Sequence, residues 1–372
     1  MQAYTQWMEN KIYDTDLMDG EEDIDALLGI LNGNEFRTFG EILEDIISQK
    51  KPKDCSLTCE AFLNRRAEEK NIIIADKRTI YSWFKKGVRP RKGREDRYTV
   101  FRIAFALELS TDETARLFRN ALLDRAYNPR DYKEVIYYYC IKNAKEYQYA
   151  EKLIKLVHFQ EEPTDVTIYT NNLILNLEEI HDDLELIEFI NINKHNFEMS
   201  NIAAKKEVKK LLEDAKGVAN KERAKIESSS NYTYNKNKDS MNFLYETITA
   251  CGVTGTGGTR TIFKNAELPK EIKSSFPQPY IFAKENPTFE ELRKEIILLF
   301  SYIFWINADE QIDNASDIFD YYKDELDSLL YSVGFVPLYY GNPYDWLFLR
   351  CAFSERPIEL FRDILGKVLN EQ

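Results

Sequence analysis

Apolar residues along this chain recur at three- and four-residue spacings, which predicts α-helices rather than strands. Phe39, Ile42, Leu43, Ile46 and Ile47 form one such stripe. It is preceded by Thr38, with Glu41 three residues on, a capping-box pattern that marks a helix start. Thr58 opens CEAFLNRRAEEK, and the apolar patch Ile72 to Ala75 follows. Asp76 opens KRTIYSWFKKG, and Gly87 supplies the stop. Asp96 to Leu107 carries Val100, Ile103, Ala104 and Leu107 on one face, and Ser110 or Thr111 caps DETARLFRNALL. Five short helices are thus expected between Thr38 and Leu123. Each is too short to be stable alone, so they must pack as one unit.

Further along, Val135 to Cys140 and Tyr147 to Val157 predict a helical hairpin. Leu173, Leu177, Ile180, Leu184 and Ile187 alternate by four and three. This seam of little more than two heptads would either join two copies of the chain or pack inside one. A charged helix is expected at about 201–228, and the Asn-, Ser-, Thr- and Gly-rich residues 229–262 read in part as loop. Helices return over Thr288 to Ile306, Ser316 to Val333 and Pro357 to Leu369. Between the last two, the aromatic run Leu338 to Phe348 either fills a core or lines a groove for a peptide or small-molecule ligand. The expected fold class is all-α. It divides into an acidic arm (1–36), an N-terminal five-helix domain (37–126), a helical middle or dimerisation region (127–228) and a helical C-terminal domain for sensing or assembly (229–372). The arm carries Glu21, Glu22, Asp23 and Asp25 and one short helical pattern from Asp23 to Leu31. It reads as a solvated tail, or as an acidic shield for basic residues elsewhere.

Composition sharpens this picture in one place. The 372 residues are 44% hydrophobic and 30% charged, with only 14 Gly and 11 Pro, a balance that favours helices. The net charge is −13, yet Lys77 to Arg97 holds nine basic residues against two acidic ones. A local reversal to +7 marks a surface that meets a polyanion. The N-terminus lacks a basic-then-apolar signal pattern, and the apolar run Ile296 to Ile306 is too short to span a bilayer. Five scattered cysteines suit reduced thiols, so the expected location is the cytoplasm, away from membranes.

The residues Thr79-Ile80-Tyr81-Ser82-Trp83-Phe84-Lys85-Lys86-Gly87, followed by Arg89-Pro90, carry a resemblance. A β-branched anchor, a Trp three residues on, a Gly and then a Pro are similar to the recognition helix of phage-repressor-like (Xre/Cro type) helix-turn-helix proteins. The helix with Phe101, Ile103 and Ala104, and the segment Leu109 to Ala115, resemble that family's later helices. The resemblance covers about 85 residues, and Asn71 to Ala75 add an apolar insertion where the family has a short turn. It implies a helix at about 76–86 that enters the major groove of double-stranded DNA. Ile80 and Trp83 would anchor it, and Lys77, Arg78, Thr79, Tyr81 and Ser82 would face base edges. Lys85, Lys86, Arg89, Arg91, Lys92, Arg94 and Arg97 would hold phosphates. The implied protein is a homodimeric transcriptional regulator of a bacterium or mobile element.

Other chemistry is poorly supported. Cys55 and Cys59 have no second Cys/His pair near them, so neither a metal nor a cofactor is expected. Gly252 to Arg260 is glycine-rich but lacks the Gly-Lys-Ser/Thr ending of a phosphate loop. With three histidines and no readable nucleophile set, an enzyme is not expected. Two alternatives stay open. One is a phage-defence or toxin-type effector targeted by its helix-turn-helix domain, and the other is a regulator that responds to a peptide or ligand.

Overall fold

The computed structural model describes residues 2–13, 24–32, 35–90, 94–158, 168, 170–198, 202–229, 244, 247–248, 287–308 and 315–370. Among them there is no β-strand. The helices in chain order are α1 (Gln2–Asn10), α2 (Ile24–Asn32), α3 (Phe39–Lys50), α4 (Cys59–Glu69), α5 (Lys77–Lys86) and α6 (Arg94–Ala106). Then come α7 (Thr111–Arg116), which runs into a π-helical turn (Leu117–Leu122), α8 (Tyr132–Lys142), α9 (Tyr147–Leu156) and α10 (Thr170–Glu179). The series closes with α11 (Asp183–Ile192), α12 (Lys194–Glu198), α13 (Ile202–Ser229), α14 (Phe289–Ala308), α15 (Ala315–Ser332), α16 (Pro343–Ala352) and α17 (Pro357–Asn370). The Gly252 to Arg260 segment lies outside the described residues.

The chain divides into two compact units, Arg37–Ser200 and Met1–Phe36 with Asn201–Gln372. In the first, the local capping signals are all in use. The Thr38 and Ser110 side chains accept from the backbone N–H of Glu41 and Glu113, and each Glu returns a bond to its cap residue's backbone. The Thr58 and Asp76 side chains accept from the N–H of Ala61 and Thr79. Helix α3 packs against α4, α5 and the π-helical turn, while α4 packs on α6 and α8 on α9. The core is Phe39, Leu43, Ile47, Leu63, Ile80, Trp83, Phe101, Ile103 and Phe118, all buried.

The apolar insertion between α4 and α5 is packed. Ile72 and Ile74 are buried, and Arg102 donates to the carbonyls of Ile73 and Ile74 at 3.3 and 3.1 Å. Ile73 points the other way and is 83% exposed. Residues alternate sides here because this stretch is extended, so one of three isoleucines cannot reach the core.

Two expectations are corrected. The seam from Leu173 to Ile187 is split between α10 and α11, because Asp182 caps a new helix by accepting from Leu184 and Glu185 N–H at 2.8 and 3.2 Å. Leu184 falls in that new first turn and is 76% exposed, while Leu173, Ile180 and Ile187 are buried. Residues 1–36 are more than a solvated arm. Met8 of α1, Ile12, and Leu27 and Leu31 of α2 are fully buried in the second unit's core. The indole of Trp346 donates to the Met8 carbonyl at 3.2 Å. Burial of these apolar positions outweighs the acidity of the segment, and Asp25 stays exposed.

In that second unit α14 packs along α13 and against α15, α16 and α17. The aromatic run contains α16, started by the Asn342 side chain and Pro343. All ten residues of α16 are buried. Asp345 sits inside this core, paired with Arg293 at 2.7 and 2.8 Å, and also accepts from Tyr339 N–H at 2.9 Å. No helix among the described residues is long and apolar enough to cross a membrane.

Candidate nucleic-acid interface

Helix α5 spans ten residues, about 15 Å at 1.5 Å per residue. Its ends are set locally. Asp76 accepts from the Thr79 N–H at 2.9 Å and the Thr79 hydroxyl at 2.7 Å. That hydroxyl bond, then the backbone one, holds the Asp76 carboxyl below its ordinary range. At the other end Gly87 adopts φ 60, a left-handed conformation, and the Val88 N–H reaches the Ser82 carbonyl at 3.2 Å.

One face of α5 is fixed against α3. Ile80 and Trp83 are buried, and Trp83 meets Phe39 edge-on with ring centroids 5.4 Å apart. A β-carbon on Gly40 would lie 2.2 Å from the Trp83 carbonyl oxygen, so only glycine permits this approach. The opposite face holds Lys77, Arg78, Tyr81, Lys85 and Lys86, all exposed, with Tyr81 at 48%. Among the described residues these four cations have no carboxylate within ion-pair distance, whereas many other cations of this unit do. A row of cations along one helix face concentrates positive potential at one place.

The other expected site residues meet different fates. Thr79 and Ser82 have already committed their hydroxyl protons, Thr79 to Asp76 and Ser82 to the Thr79 carbonyl at 2.7 Å. Each oxygen can still accept, as from a base amine. Arg89 is half-buried, donating to the Ala121 carbonyl at 2.7 Å and the Arg37 carbonyl at 3.5 Å, and ties the chain after α5 to the π-helical turn. Arg94 remains exposed, its Nε 2.9 Å from Asp131. Arg91 and Lys92 lie outside the described residues.

Arg97 requires a correction. It is 6% exposed, so its guanidinium cannot meet an external phosphate. It donates to Glu134 at 2.7 and 2.8 Å, to Asp124 at 2.7 Å and to the Arg125 carbonyl at 3.1 Å, with Phe118 stacked 4.7 Å beneath. The reason is helical phase. Val100, Phe101 and Ala104 stand three, four and seven residues on and are all core positions, so Arg97 shares their inward face. That spacing is readable in the sequence. The acidic partners are not, because they arrive from elsewhere in the chain.

A second feature carries no sequence motif. Two adjoining cavities of about 920 and 680 Å³ share Lys50, Arg66, Glu69 and Glu108 in their walls. Their polar residues come from the ends of α3 and α4 and from the turns after α6 and α8, which no single stretch of sequence displays together. Among the described residues no group of three or more His, Cys, Asp or Glu side chains is placed to hold a metal.

No protein-family profile, no curated protein and no solved structure matches this chain.

Proposed function

We propose that this protein is a sequence-specific DNA-binding regulator of transcription and that α5 is its recognition helix in the major groove. The observation that carries this reading is the outer face of α5. Lys77, Arg78, Tyr81, Lys85 and Lys86 project from a helix capped at both ends and locked on its inner face by Ile80, Trp83 and Gly40. Cations held on a fixed helix, with no carboxylate partner among the described residues, suit phosphate neutralisation with counterion release. Within this scheme Lys85 and Lys86 hold the backbone. Arg78 and Tyr81, on the first turns, face the base edges, as helix N-terminal residues do in major-groove readers. A homodimer would set two such helices one DNA turn apart, roughly 34 Å.

The test is a DNA-binding titration of the full chain at several salt concentrations, on a site selected from a random pool. Lys85→Ala with Lys86→Ala should weaken binding on every sequence and flatten the log–log salt slope by about 2, one unit per lost phosphate contact. Arg78→Ala should instead lower discrimination between selected and random sites. Unchanged affinity and slope in the double variant would sink the proposal.

A further inference from the structure

The 920 Å³ cavity of the Arg37–Ser200 unit has the size of a small-molecule pocket. Its floor is apolar, with Ile72, Ala104, Phe105, Leu109 and Ile141 buried. Tyr147 stands edge-on to Phe105, centroids 5.6 Å apart. On its rim three cations converge. Arg66 Nη2 and Lys70 Nζ reach the two carboxylate oxygens of Glu108 at 2.5 and 2.7 Å. Lys50 lies 3.4 Å from the Glu108 carbonyl oxygen and pairs with Glu113 at 2.7 Å.

The two sides of this cluster differ in freedom. The Arg66 and Lys70 side chains are mostly covered and held at the C-terminal end of α4, where the helix dipole favours positive charge. The Glu108 side chain is 63% exposed, so it can swing into water at little desolvation cost. An external anion that replaced it would find two oriented donors and lose little to reorganisation. We propose that this cavity binds a small organic anion, with Arg66 and Lys70 taking its carboxylate or phosphate in place of Glu108 and with Phe105 and Tyr147 against a flat apolar body.

The site bears on α5 through the chain itself. Lys70, Asn71 and Ile72 line the cavity and belong to the connection that leads into α5. The Gln148 side-chain amide, from α9, also lines the cavity and donates to the Lys70 and Asn71 carbonyls. A ligand that fills the space tightens this connection, whether or not α5 meets DNA.

Calorimetric titration of the full chain with phenyl phosphate, benzoate and inorganic phosphate, at fixed chloride, tests the site. The expected result is saturable one-to-one binding of phenyl phosphate or benzoate, with inorganic phosphate at least about tenfold weaker because it lacks the apolar body. The stronger of the two aromatic probes identifies the anionic group. Glu108→Gln should tighten binding about tenfold by removing the competing carboxylate, and Arg66→Gln or Lys70→Gln should weaken it by at least as much. On the unaltered protein, hydrogen exchange with the probe bound should slow at the lining segments, residues 66–76, 104–113 and 141–148, and not elsewhere in the unit. Absence of saturable binding by both aromatic probes, equal binding of inorganic phosphate, or protection spread over the whole unit would overturn the proposal. None of these readouts involves DNA, so they stand apart from the test of α5.

Discussion

The Arg97 guanidinium donates to both carboxylate oxygens of Glu134, at 2.7 and 2.8 Å, across 37 positions of sequence. Both side chains are almost fully buried, and Asp124 closes the group from the other side at 2.7 Å. The pair joins α6 to α8, and Glu134 also accepts from the Asn128 N–H at 2.6 Å. A residue from the basic segment thus serves the interior of the unit. Arg97→Ala should lower stability by about 3–5 kcal/mol, because two buried carboxylates lose their counter-charge. Urea denaturation measures this. The salt slope of DNA binding for the folded fraction should stay at its wild-type value. A flattened slope with unchanged stability would return Arg97 to the surface.

Gly40 controls how closely α3 and α5 approach. Gly40→Ala forces a β-carbon toward the Trp83 carbonyl, 2.2 Å away, and backbone cannot yield as a side-chain tip does. The expected cost is about 1–3 kcal/mol, with perturbed Trp83 fluorescence. Gly217 in α13 is the control, since nothing stands within 4 Å of its added β-carbon. Gly217→Ala should stabilise by about 0.4–1 kcal/mol. Equal effects of the two changes would mean that α3 and α5 are not in tight contact.

The start of α5 is pH-sensitive through Asp76. Its folded-state carboxyl titrates below the ordinary value, chiefly because the Thr79 hydroxyl donates to it. A depressed folded pKa contributes stability that is complete above the unfolded value, about 3.9, and is lost as pH falls through the folded one. The first-turn amides of α5 should therefore lose their capped chemical shifts only in acid. Asp76→Asn should abolish that titration while keeping a cap. It also removes a negative charge beside Lys77 and Arg78, so DNA affinity at low salt should rise.

Thiol chemistry separates the cysteines by position. Cys140 is fully buried, and burial pushes its thiol up to about 12. Cys351 is buried too, whereas Cys55 and Cys59 are partly exposed. Site-resolved alkylation at neutral pH should label Cys55 and Cys59 in the native protein, and Cys140 and Cys351 only as it unfolds. Fast native labelling of Cys140 would show that the α8 packing is open.

Much of the helical layout is legible along the chain, because it depends on contacts three or four residues apart. Thr38, Thr58, Asp76 and Ser110 each accept from an N–H three positions on, which spacing alone exposes. The inward phase of Ile80 and Trp83 follows in the same way, and so does the exposed phase of Lys77, Tyr81 and Lys85. The stretch from Leu173 to Ile187 shows where this reasoning ends. Its apolar spacing suits one helix, but the Asp182 side chain offers the backbone a competing cap and two helices result. Burial of Met8 and Leu27 was likewise hidden, since their apolar partners come from helices more than 170 residues later.

By itself, then, the sequence determined the helical class of the described residues, most of their helix boundaries, and one helix whose outer face is basic. Tertiary structure decided which of the basic residues remain available. It sent Arg97 to Glu134 and Asp124, tied Arg89 to the Ala121 carbonyl, and left the charged face of α5 without carboxylate partners among the described residues. It also assembled the Arg66, Lys70 and Glu108 cluster from the end of α4 and the turn after α6. The reason is range. Caps and helical phase are set by near neighbours, whereas a charge's partner is chosen by the fold that brings distant residues within about 3 Å.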